Sequence, residues 1–100
     1  MFKLDLFDFE KDEIIRTVER NYCPTILYIE FEKIREKVEK EKITDQIAIL
    51  DELRDAFLKF FPTLTAEEFY NNTVIGDVLY IYQQIIGKAT TIKSFPTKNA

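Results

Sequence analysis

Apolar and polar positions alternate at the start of the chain and then take on a helical period. Phe2, Leu4 and Leu6 stand against Lys3 and Asp5, the period-two pattern of a half-buried strand. Phe7 and Phe9 break the alternation, and Asp8 to Glu13 is polar enough to turn. Residues 14–20, Ile-Ile-Arg-Thr-Val-Glu-Arg, support two readings. Their β-branched residues suit a second strand, whereas Ile14, Val18 and Tyr22 at i, i+4, i+8 suit one face of a helix. The reading adopted is a β-hairpin over 2–20. Pro24 then breaks the pattern, at a place where proline sits just before a helix or in its first turn.

From Leu27 the apolar stripe is Leu27, Phe31, Ile34 and Val38, with charged residues between. This spacing predicts an amphipathic helix solvated over most of its circumference. Its first turn, Ile26 to Ile29, is apolar all round and is expected to be more deeply buried. Thr44 is expected to cap the next helix, with Asp45 in its first turn. Ile47, Leu50, Leu53, Phe57, Phe60 and Phe61 form its core face, widened by Ile49, Ala56 and Leu58. Projected at 100° per residue, that apolar arc is roughly 200°. Such a helix is central to its domain, or buries a second side in an oligomer.

Pro62 ends this helix at about Phe61. Thr65-Ala-Glu-Glu68 is a capping box, and Leu64 and Phe69 flank it at the spacing of a hydrophobic staple. A short helix from about Ala66 to Tyr70 follows, interrupted at Asn71-Asn72. Asn72 or Thr73 is expected to cap a last helix over Val74 to Ile86, whose apolar arc is roughly 160°. Thr73, Asp77, Tyr80 and Gln84 lie on its opposite side, and Gly87 is placed as a C-cap glycine. Lys88 to Ala100 lacks a period. The expected organisation is one globular domain over 1–87, with helices over 26–87, and a flexible tail over 88–100. The fold class is mainly α: a small helical bundle with an N-terminal β-hairpin.

Composition narrows the function. The chain has 100 residues, 46% hydrophobic and 32% charged, with net charge −4. One small domain fits that length, and the acidic balance argues against a general nucleic-acid-binding role. No apolar run approaches a membrane span, and the acids near the N-terminus do not fit a signal peptide. The chain reads as cytosolic. With no histidine and one cysteine, neither a zinc site nor an internal disulfide is expected. No metal or other cofactor is expected either.

Catalytic chemistry finds little to work with. The only serine is Ser94, and Cys23, beside Pro24, reads as a small hydrophobe rather than a nucleophile. The carboxylates lie on solvated faces; Asp77 comes closest to an apolar run. The chain reads as non-enzymatic. Tyr80, in the middle of the polar face of the last helix, has two readings: a ring resting on a neighbouring loop or tail, or a contact residue for a partner. Asp77 and Gln84 flank it as candidate protein-binding residues.

Several stretches together carry a family resemblance. The alternating start leads into Val18-Glu-Arg-Asn-Tyr-Cys-Pro24, then a charged helix, then Phe57-Leu-Lys-Phe-Phe61 and Leu64-Thr-Ala-Glu-Glu-Phe-Tyr70, and a closing amphipathic helix. This order, over roughly residues 2 to 87, resembles the small tail assembly chaperones of long-tailed bacteriophages. The resemblance implies a protein of the host cytoplasm, absent from the mature virion. It would bind and solubilise the tape measure protein, help recruit the tail tube protein, and self-associate as a homo-oligomer. The rival reading is a small dimeric regulatory or antitoxin-like module that blocks another protein.

Overall fold

Phe2, Leu4 and Leu6 point inward from strand β1 (Phe2–Asp8), which pairs antiparallel with β2 (Glu13–Arg20). The computed structural model describes the backbone of residues 1–94 and the side chains of residues 1–87. Residues 14–20 are therefore strand, and the chain is mainly α with an N-terminal hairpin. Across the ladder, Leu4 faces Val18, which is also buried, while Phe2 faces Arg20 and Leu6 faces Arg16. The ladder slips between Leu6 and Phe7: Leu6 pairs with Arg16 but Phe7 pairs with Ile14. Ile15 is the extra residue of a β-bulge.

Helix α1 (Thr25–Lys40) starts with Pro24 at the N-cap position, where the missing amide costs nothing. Leu27 and Phe31 are buried, Ile34 packs at the edge of the core, and Val38 is half-buried. The first turn departs from expectation. Ile26 is 73% exposed and Ile29 is exposed too. A helix on a small bundle has one covered side, and Leu27 and Phe31 occupy it. The neighbours of α1, the helices over Gln46–Phe60 and Ile75–Ser94, leave Ile26 and Ile29 uncovered.

The end of α1 is built as a Schellman motif. Ile43 N–H donates to Val38 O at 2.9 Å and Lys42 N–H donates to Glu39 O at 3.2 Å. Lys42 holds the left-handed position, with φ 54°, which glycine fills more cheaply.

Helix α2 (Gln46–Phe60) is capped by Asp45, whose carboxylate accepts from Ile47 N–H at 3.1 Å. The cap is thus one residue later than Thr44, and Asp45 precedes the helix instead of entering its first turn. Leu53, Ala56, Phe57 and Phe60 are fully buried, and Phe61, just after the helix, nearly so. The wide arc finds its cover within the monomer, because α2 packs against α1, the last helix α4 (Ile75–Ser94) and the short helix α3 (Ala66–Asn71). Ile47 is the exception. At 65% exposed it lies outside the core face assigned to it, while Ile49 and Leu50 just after it pack against the core.

The core is a chain of aromatic rings. Phe57 lies 5.7 Å from Phe31 and 5.5 Å from Phe69, and Phe60 lies 5.3 Å from Phe2 and 4.9 Å from Phe61, mostly edge to face. Rings from β1, α1, α2 and α3 therefore meet in one place, and Val78, Ile81, Tyr82 and Ile85 of helix α4 (Ile75–Ser94) close it. Thr65 caps α3 with the full reciprocal box, and Leu64 and Phe69 are both buried, as a staple requires.

Helix α4 differs from expectation at both ends. Val74 supplies the carbonyl that accepts from Asp77 and Val78 N–H. Thr73 instead donates its hydroxyl to Phe69 O at 2.6 Å, and Asn72 is joined to Phe7 by two 2.8 Å bonds, Phe7 N–H to Asn72 O and Asn72 Nδ2 to Phe7 O. The residues expected to cap α4 thus tie α3 and β1 together. At the far end the helix continues through Gly87 to Ser94. Neither glycine has positive φ, so Gly87 does not make a left-handed cap. The residues after it, Lys-Ala-Thr-Thr-Ile-Lys, contain no helix breaker. Of the tail expected over 88–100, residues 88–94 are helix, and 95–100 lie outside the described residues.

Candidate protein-binding surface

The three residues singled out on α4 share one side of that helix. Asp77, Tyr80 and Gln84 follow one another at i, i+3 and i+7, the spacing of neighbours along a helical face. Tyr80 is 63% exposed, and Asp77 and Gln84 are half-buried beside it. Asp77 stands in the first turn, where a carboxylate complements the helix dipole. An exposed aromatic ring flanked by partly covered polar groups has the make-up of a contact site: apolar area at low entropic cost with hydrogen-bonding neighbours.

Two further exposed apolar groups were not evident from the sequence as sites. Tyr22, just before α1, and Ile26 and Ile29, in its first two turns, are exposed. Ile26 and Ile29, at i and i+3, form a second stripe, distinct from the Leu27–Phe31–Ile34 stripe that enters the core. The spacing was readable; which of the two stripes would be covered was not. The other group is the hairpin end. Phe7 and Phe9 stack with centroids 5.5 Å apart, Ile14 lies across the ladder from Phe7, and Ile15 is the bulged residue. The broken alternation at Phe7 and Phe9 is the only trace of it in the sequence.

Electrostatics on the hairpin's inner side fix its position. Arg16 Nη2 donates to Glu68 Oε1 at 2.7 Å and to Thr63 O at 2.9 Å, and Nη1 donates to Thr63 Oγ1 at 3.2 Å. The Arg16 guanidinium, ahead of the Thr65 capping bonds, holds the Glu68 carboxyl below the usual carboxylate range. Arg20 lies over the Phe60 ring at 5.5 Å and donates Nη1 to Phe60 O. Both arginines thus anchor β2 to the segment around the α2–α3 turn.

Cys23 is half-buried against the core, with Sγ 3.6 Å from Pro24 O. Burial pushes its thiol up, and nearby Arg20 only partly opposes this, which disfavours the reactive thiolate. Among the described residues, no group of three or more His, Cys, Asp or Glu side chains is placed to hold a metal ion. No described helix is long and apolar enough to cross a membrane.

The chain matches no protein-family model, no curated protein and no solved structure.

Proposed function

We propose that the chain is a non-enzymatic assembly chaperone of the long-tailed phage type. It binds the tape measure protein in the host cytoplasm, keeps it soluble, helps recruit the tail tube protein, and is left out of the mature virion. The carrying observation is the display of large apolar side chains on a well-anchored scaffold: Tyr80 on α4, Tyr22 before α1 and Ile26 within it, and Phe9 and Ile14 at the hairpin end. A monomer that needed none of this surface would have less reason to expose it in groups. The order of elements and the Leu64–Tyr70 segment, which resemble that family, supply the choice of partner.

Co-expression with a tape measure protein tests the reading. The partner is expected in the soluble fraction and in complex with the chain. A partner that stays insoluble, or that is soluble without complex formation, overturns it. A partner that is bound but loses its activity without any gain in solubility marks a blocking module instead.

A further inference from the structure

The outer face of the hairpin changes character at the bulge. Before it the face is polar: Lys3 pairs with Glu19, and Thr17 donates to Asp5 at 2.7 Å. Beyond it the face is apolar. Phe7 and Phe9 stack, Ile14 sits opposite Phe7, and Phe9, Ile14 and Ile15 are 54%, 54% and 57% exposed. The bulge allows two successive isoleucines to stay exposed, where a regular strand would turn one of them inward.

This apolar end has an acidic rim. The turn and the strand ends that flank it hold Asp8, Glu10, Asp12 and Glu13 against the single base Lys11. Asp8 accepts from Glu10 and Lys11 N–H and so shapes the turn. Among the described residues, no ion pair engages Glu10, Asp12 or Glu13. The bulge also argues against an added β-strand at this end, because it interrupts the ladder an incoming strand would continue.

We infer that the hairpin end, residues 7–15, is a docking surface for a helical segment whose apolar stripe is flanked by lysine or arginine. The stripe covers Phe9, Ile14 and Ile15, and the basic flanks meet Glu10, Asp12 and Glu13. The inference rests on the reading of the chain as a protein-binding module and adds where the partner binds and what charge it carries.

The test uses the full chain and two labelled model peptides with the same leucine stripe, one with lysines on its polar face and one with glutamates. In fluorescence anisotropy titrations the lysine peptide is expected to bind about tenfold or more tightly than the glutamate peptide, with the gap closing as salt rises. Ile14→Asn should weaken the lysine peptide's binding. The variant Glu10→Gln, Asp12→Asn, Glu13→Gln should remove its advantage. The variant Glu36→Gln, Glu41→Gln, Glu67→Gln, equal in charge change but away from the hairpin end, should not. Thermal melts check that each variant is folded.

Equal binding of the two peptides, binding of neither, or equal effects of the two charge variants overturns the inference. The chaperone reading is judged separately by the co-expression experiment. A partner kept soluble while the lysine peptide fails to bind leaves that reading intact, and a bound lysine peptide beside an insoluble partner has the opposite meaning.

Discussion

Arg16 and Glu68 stand 52 residues apart in the chain and 2.7 Å apart in the fold. The same Glu68 carboxylate accepts Thr65 N–H at 3.1 Å within the capping box. One side chain therefore serves two purposes: it starts α3, and it fastens the hairpin to the α2–α3 turn.

This double use gives a pH dependence. Glu68 has a lowered carboxyl pKa in the fold, so its contribution is present above the unfolded value of about 4.3. It is lost as pH falls through the folded value. Glu68→Gln should be less stable than the wild type at pH 7, and the difference in melting temperature should shrink below about pH 4. Thermal melts across pH 3–7 check this; a constant difference would mean that the ionised carboxylate contributes nothing.

Three substitutions separate core, cap and surface. Phe57→Ala opens a cavity among Phe31, Phe61 and Phe69 and should cost about 3–5 kcal/mol. Thr65→Ala removes a cap and should cost about 1 kcal/mol. Ile47→Ala, at an exposed position, should stay within about 0.5 kcal/mol. Denaturant unfolding of the three variants reads the order directly.

Lys42 offers a stabilising change. It occupies the left-handed position of the α1 Schellman motif with φ 54°. There a side chain costs about 1 kcal/mol or more relative to glycine, partly offset by glycine's larger unfolded-state entropy. Lys42→Gly should raise the melting temperature by a few degrees, roughly 2–6 °C for a domain of this size. A lower melting temperature would count against the motif.

Self-association through α4 is a further expectation. Tyr80 has the exposure of a contact residue, with Asp77 and Gln84 beside it. Light scattering over a range of concentrations should show oligomers. Tyr80→Glu should shift them toward monomer while leaving the melting temperature nearly unchanged. A monomer at all concentrations, with partner binding intact in Tyr80→Glu, would remove Tyr80 from the surface.

The features legible in the sequence are local ones. The capping box at Thr65 and the stop at Pro62 depend on residues within one turn, and both are present in the fold. The β1 alternation depends on period alone. What the sequence obscured depends on distant neighbours. Ile26, Ile29 and Ile47 are as apolar as Leu27 and Leu53, but only the fold decides which of them meet a covering element. The α2 cap moved one residue because Thr44 and Asp45 are both good caps, and Asp45 has the extended backbone and the bond to Ile47. The helix ran past Gly87 because glycine permits a left-handed stop without requiring one. Tyr80 is exposed where the polar-face projection places it, whereas the hairpin-end group was obscured because a bulge cannot be read from period.

The edge-to-face contact between Phe2 and Phe60 has a consequence for the growing chain. The inner face of the hairpin, with Phe2, Leu4 and Leu6, is made well before its cover. Its aromatic cover at Phe60 emerges more than half the chain later. During synthesis, the nascent hairpin carries a bare apolar face that only a late segment can shield. A nascent chain that has not yet extruded residue 60 would present a sticky, uncovered hairpin, and one that has extruded residue 70 could close the Arg16–Glu68 pair over it.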